Sequence, residues 1–321
     1  MRILPSFRTP IKLRAAAPVL LLFAMLLPFG NAASASTEQA RSSPAVSALT
    51  AAESASREAL MKQAASWVST LSEQEAFASW KNSKLRIQPL GPGTHGWLVT
   101  VHEPNGQAIG YLVAYAADDR TYRLGEYGLG GQPLFDEASL KQSLFANGLI
   151  DSLSNAGYTA TMHYVHPFAA VWKVNIGSDT YWLDAKSDEL LPLNPESWDS
   201  IAIGSKPLSV LNPKTSDGSD GSLDRTRTLV LNVPFDPYER LPWLSGEKPF
   251  DASDEASFSK RLSDNLPLRY VSEPFGDKML YALSVIGYHQ WSSGRLDAAL
   301  DMHGTRFIPL ASLNQLGLFY P

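Results

Sequence analysis

Apolar positions along the chain change period several times, and each change marks a predicted element. Between residues 56 and 71, Leu60, Ala64, Trp67, Val68 and Leu71 recur near helical spacing, and Phe77 and Trp80 suggest a second short helix. Pro89-Leu90-Gly91-Pro92-Gly93 then stops helical geometry, because proline lacks the N–H a helix needs. Beyond it the period falls to two. Trp97, Val99 and Val101 fall on one face of a strand, with Leu98, Thr100 and His102 on the other. Pro104-Asn105-Gly106 predicts a turn, since Asn-Gly accepts positive φ. A return strand over 109–117, a turn at Asp118-Asp119 and a third strand over 122–127 complete an antiparallel meander.

A related layout follows. Residues 140–153 have helical spacing, 163–176 read as one strand, Gly177-Ser178-Asp179 as a turn and 180–185 as the returning strand. The chain thus divides into an α+β unit at 56–135 and a second, related one at 136–204. Lys206-Pro207, Asn212-Pro213 and the polar run Ser216-Asp217-Gly218-Ser219-Asp220-Gly221-Ser222 predict a linker over 205–225. A C-terminal α+β domain over 226–321 contains strands at 229–233, 279–288, 296–302 and 305–308. It also has a helix beginning near Ser253 and a short one at 310–316, stopped by Gly317. The predicted fold class is α+β: antiparallel strand meanders with flanking helices, two small units and a C-terminal domain.

The N-terminus changes the setting. Arg2, Arg8, Lys12 and Arg14 form a basic stretch without an acid, residues 15–30 an apolar block, and Ala33-Ser34-Ala35 a small-residue cleavage site. The block falls short of the ~20 residues of a spanning helix. Residues 1–35 therefore read as a cleaved signal peptide and the protein as secreted or extracytoplasmic, with Ser/Ala-rich residues 36–55 as a flexible spacer. The absence of cysteine excludes disulfides, a thiolate nucleophile and Cys-bound zinc. With 44% apolar residues the chain can bury a core without such staples. A net charge of -5 without a basic patch argues against a nucleic-acid partner.

Motifs mostly exclude. There is no phosphate-cradling P-loop, no H-E-x-x-H (His102-Glu103 runs into Pro104) and no G-x-S-x-G elbow. Pro133 spoils the dinucleotide spacing of Gly128, Gly130 and Gly131, so no cofactor is expected. His163 and His166, three apart on one predicted strand, face opposite sides and cannot share a metal. Trp97, Trp172 and Trp182 alternate with aliphatic residues and read as core rather than as a carbohydrate platform.

One polar cluster stands out in the C-terminal strands: His289, Asp297, Asp301, His303 and Arg306. Asp301 and His303 lie two apart, on one face of a strand, where a carboxylate could orient an imidazole as a general base. Ser284 and Ser292 are the local hydroxyls. A surface ion pair accounts for the same residues without catalysis.

Two stretches resemble known families. Trp172-Lys173-Val174, a turn, and then Tyr181-Trp182-Leu183-Asp184-Ala185-Lys186-Ser187-Asp188-Glu189 resemble the signature of PepSY-type propeptide domains. Ser187 and Asp188 stand where that family has Thr and Gly. The resemblance implies a small exported α+β module that inhibits or binds a partner. The tail 281–288, 299–301 and 306–310 resembles the second half of C39-like papain-type peptidases, with Tyr281 at the His position and Asp301 at the acid position. Since that family's Cys is missing, the resemblance implies a shape kept without its chemistry. The expectation is a non-enzymatic exported protein binding a secreted enzyme or cell-wall component. The alternative is an envelope hydrolase using His289, Asp301 and His303.

Overall fold

A computed structural model describes residues 44–117, 121–154, 157–206 and 223–321. In chain order these carry α1 (Pro44–Leu71), a 3-10 helix (Glu75–Trp80), β1 (Lys84–Pro89), β2 (Gly96–His102), β3 (Ala108–Ala116) and β4 (Tyr122–Leu129). Next come α2 (Glu137–Ala146), β5 (Thr159–Tyr164), β6 (Ala170–Ile176), β7 (Asp179–Asp184), α3 (Pro195–Gly204) and β8 (Thr226–Leu231). The remainder comprises α4 (Pro242–Ser245), α5 (Glu255–Ser263), β9 (Arg269–Ser272), β10 (Tyr281–Trp291), β11 (Leu296–Asp301), β12 (Thr305–Pro309), α6 (Leu310–Leu316) and β13 (Leu318–Tyr320). The fold is α+β and rich in antiparallel strands, as the sequence predicts.

Strands from both ends of the chain share one sheet, in the order β1-β2-β3-β4-β12-β11-β10-β9-β13, with β8 also on β10. The joint is β4 against β12, pairing Arg306 with Gly128 and Phe307 with Tyr127. Hydrogen bonds therefore run without a break across the expected boundary between the first unit and the C-terminal domain. The second sheet, β5-β6-β7, stands apart. Residues Leu49–Pro321 form one compact unit.

The large sheet is covered on both faces because both faces of its strands are apolar. One face receives Leu60, Ala64, Trp67, Val68 and Leu71 of α1, with Phe77 and Trp80, against Val99, Val101, Leu112 and Phe307. Each large side chain buried there contributes about 1.5–3 kcal/mol. The other face offers Leu98, Tyr111 and Val113 to α2 (Leu140, Leu144) and to Trp172, Val174 and Leu183 of the small sheet. A third cluster joins Phe168, Trp182 and Trp198 to Phe258 and Leu262 of α5 and Leu310 and Leu313 of α6. The chain approaches so closely that a Cβ on Gly110 would lie 2.3 Å from the Trp80 ring.

Several sequence expectations are corrected. α1 begins at Pro44, so residues 44–55 of the expected spacer are helical. The helix expected over 140–153 spans only Glu137–Ala146, capped by Asp136 accepting from Ala138 N–H. The strand expected over 163–176 is a hairpin, in which His163 faces Val171 across the β5–β6 ladder and His166 sits in the turn. Pro167 explains the reversal, as it cannot donate to a ladder. Apolar residues on both sides of that turn hide it from the pattern. The signal peptide, Asp118-Asp119 and residues 207–222 of the linker lie outside the described residues.

Candidate functional site

The proposed trio does not assemble. His289 lies near the C-terminal end of β10, wholly buried, opposite Asp297 of β11. Asp301 ends β11, about 13 Å further along that strand, and pairs with Thr305. His303 lies beyond the strand, exposed in the β11–β12 turn with φ 49°, so it does not share a strand face with Asp301. Gly304 (φ 111°) follows it, and the two left-handed residues break the alternation on which the expectation rested. Of the hydroxyls, Ser284 is buried about 16 Å along β10 from His289, and Ser292 is held by Asp224 at the surface.

What His289 does join is a buried relay. Tyr127 of β4 donates its hydroxyl proton to Asp297 Oδ2 at 3.1 Å, and His289 Nδ1 lies 2.6 Å from the same phenol oxygen. A phenol has one proton, so both contacts are hydrogen bonds in the tautomer whose Nδ1 carries the hydrogen and donates. Burial holds the imidazole neutral, pulling its pKa down to about 4 although the Asp297 carboxylate acts the other way. Asp297 accepts further from Trp291 Nε1 and Arg295 Nε, each at 2.7 Å, while Arg295 reaches the carbonyls of Leu124 and Gly125. The Tyr127 hydroxyl is pushed well up by burial, then by Asp297.

This is the geometry of an oriented base, with Nε2 bare. Among the described residues Nε2 has no partner, and the rings of Phe77, Trp291 and Phe307 enclose the imidazole. A base so enclosed cannot meet a substrate. The relay stitches β4, β10 and β11 together instead.

A second buried group lies where the small sheet meets the large one. Arg306 of β12 places Nη2 at 2.7 and 3.0 Å from the two oxygens of Glu126 on β4, and also donates to Pro167 O at 2.9 Å. Burial pushes the Glu126 carboxyl up, and the Arg306 guanidinium pulls it back. Lys186, after β7, is buried near this pair and donates to Gln132 O. Burial, with help from Arg306, lowers its ammonium to about 8.

The Asp184-to-Glu189 turn, which carries the PepSY-type resemblance, is built on the same logic. Asp184 Oδ1 accepts from the N–H groups of Lys186 and Ser187, and its Oδ2 from the Tyr281 hydroxyl at 2.7 Å. Asp188, at φ 56°, is anchored to α2 by Ser139 and Ser143, and burial raises its carboxyl to about 6. Tyr281, placed by the papain-type resemblance at a catalytic position, thus serves as a fastening for the turn.

Sequence reading singled out His289, Asp297 and Arg306 but missed Tyr127, Glu126 and Lys186. Glu126 was legible as a lone acid in the apolar strand Tyr122–Leu129; its partner, 180 positions away, was not. No group of three or more His, Asp or Glu side chains among the described residues could hold a metal ion.

A different kind of site lies on the surface. Among the described residues, half of the large apolar side chains left exposed fall between 231 and 244: Leu231, Val233, Tyr238, Leu241 and Leu244. Arg240 and Leu241 are both left-handed (φ 68° and 43°), a conformation that costs a non-glycine residue about 1–3 kcal/mol. The turn is held there by Arg240 on Glu247 at 2.8 Å, by buried Pro242 and by Arg269, which donates to Pro237 O at 3.1 Å. Leu244, 74% exposed, projects from α4. The result is a pinned apolar projection suited to contact rather than to chemistry.

No family model, no curated protein and no solved structure matches this chain.

Proposed function

We propose that the protein is exported and acts without catalysis, binding a secreted enzyme or a cell-wall component as an inhibitory or accessory module. The observation that carries this reading is the strained turn Tyr238–Leu244. Apolar groups fixed in place before contact lose little entropy on binding, which is how a small patch gains affinity. Four polar side chains capable of chemistry, His289, Glu126, Arg306 and Lys186, are buried in the core.

Export is the reading of the basic, apolar and small-residue sequence of positions 1–35. No helix among the described residues is long and apolar enough to cross a membrane. The module reading of 136–204 draws on α2 followed by the β5-β6-β7 meander, with the Asp184-Ala185 pair at its end.

The test immobilises the purified protein and presents exported proteins and cell-wall fragments. Saturable capture of one component, lost in Leu244→Asp with an unchanged thermal midpoint, is the expected result. Capture indifferent to Leu244→Asp overturns the reading. So does turnover of a peptide or glycan that disappears in Asp301→Ala.

A further inference from the structure

Most strand edges of this protein are closed. β1 carries Lys84, Arg86 and Pro89, residues that discourage a further strand. β13 is bridged by Phe250, whose N–H donates to Phe319 O at 2.8 Å, and β7 by the 189–191 segment, where Leu191 N–H donates to Trp182 O at 2.8 Å. Against β5 the chain at Gly91 comes so near Met162 O that a Cβ would sit 1.9 Å from it. β8 differs: among the described residues it pairs with β10 alone, and no isolated bridge flanks its other side.

The direction of the free edge follows from the ladder. Asn232 N–H donates to Ile286 O at 2.6 Å, and the Val230 carbonyl points at Gly287, where a Cβ would lie 1.9 Å from it. Thr228, Val230 and Asn232 therefore bond inward. Antiparallel alternation turns the N–H and C=O of Leu229 and Leu231 outward; nearer the start of β8 the register shifts opposite Gln290 and Trp291, and Ser292 N–H donates to Arg225 O at 3.0 Å. Leu231 (39% exposed) and Val233 (85% exposed) continue this edge without a charge or a proline before Pro234.

Three requirements select the occupant. It must present backbone groups at strand spacing, apolar side chains against Leu231 and Val233, and no cation against Arg227. A second β8 meets all three. Paired antiparallel about Leu229, Arg227 of one copy faces Leu231 of the other. Arginine stems then lie along the apolar residues with their charged heads in water. Registers centred nearer Arg227 oppose two cations. We propose that the protein forms a twofold dimer through antiparallel β8–β8 pairing centred on Leu229, joining the large sheets of two copies. Such a contact is isologous, the commonest symmetry of soluble oligomers.

The test is sedimentation equilibrium on the purified full chain, with Leu231→Glu and Leu231→Lys beside it. Each substitution faces Arg227 twice across the dyad, so the Glu variant associates about tenfold more tightly than the Lys variant. Hydrogen exchange gives a second readout: the Leu229 and Leu231 amides slow with concentration. A monomer at ~100 μM, far above the Kd of a specific dimer, overturns the proposal. So does a dimer that responds equally to Glu and Lys, or one that leaves those amides unprotected. Capture of a foreign partner through Leu244 stands or falls separately.

Discussion

Removing Glu126 while leaving Arg306 should be among the most damaging single changes available to this fold. The two side chains are 0% and 1% exposed, and Nη2 lies 2.7 Å from Oε2. At an effective dielectric of about 20, that separation corresponds to roughly 6 kcal/mol of attraction, set against several kcal/mol lost in desolvating each ion. The intact pair is therefore close to neutral, but its halves are not. Glu126→Leu strands a guanidinium left with neutral partners such as Pro167 O and the Met302 sulfur, and whose Nε already lacks one. The expected loss is about 3–5 kcal/mol. At about 2–4 °C per kcal/mol, the thermal midpoint falls by roughly 6–20 °C. Arg306→Met alone strands the carboxylate and should cost a comparable amount. The double variant should recover most of the loss, because apolar groups of similar volume replace a pair whose net worth is small. Urea unfolding of wild type, both single variants and the double variant closes the cycle. Additive losses would refute the reasoning, as would a Glu126→Leu cost below about 1 kcal/mol.

Acid should weaken the fold through its buried histidines. Burial lowers both His166 and His289 to about 4 from an ordinary 6.5, so the unfolded chain takes up these protons first. Their stabilisation is present above pH ~6.5 and is lost as the pH falls towards 4, by up to about 3 kcal/mol each. Asp188, raised to about 6, acts oppositely and gains stability over the same fall. His166→Asn, which keeps an acceptor for the Phe168 N–H, should reduce the loss between pH 6.5 and 4 by about 3 kcal/mol; an unchanged slope in urea midpoints rejects this account. Gly110→Ala drives a methyl into the Trp80 ring and should cost about 1–3 kcal/mol in urea unfolding, with a neutral result counting against the close approach. Tyr281→Phe deprives Asp184 of its 2.7 Å donor and should cost about 1–3 kcal/mol. Faster amide exchange at Lys186 and Ser187 would locate that loss in the turn, and unaltered exchange would place it elsewhere.

Local pattern determined most of the elements. Period two over Trp97–Val101 and the turn at Asn105-Gly106 reappear as the β2–β3 hairpin, because alternation and positive φ are properties of a few adjacent residues. The 310–316 helix and its stop at Gly317 were equally local. Where apolar residues ran unbroken, pattern failed: His163–Ile176 looked like one strand although Pro167 turns it back. Likewise Asp301 and His303, two apart in sequence, gave no sign that a left-handed turn would separate them.

Tertiary structure alone decided what the polar side chains are for. His289, Asp297 and Arg306 were visible as chemistry, but their partners Tyr127 and Glu126 lie more than 160 positions away and meet them only because β4 pairs with β12. That pairing carries no local signal, since no hairpin turn joins β4 (ending at Leu129) to β12 (beginning at Thr305) to set their register. The same arrangement closed the core over the imidazole and left the turn at Arg240-Leu241 strained and outside. Sequence set which groups could react or stick; the fold set which ones water and partners can reach.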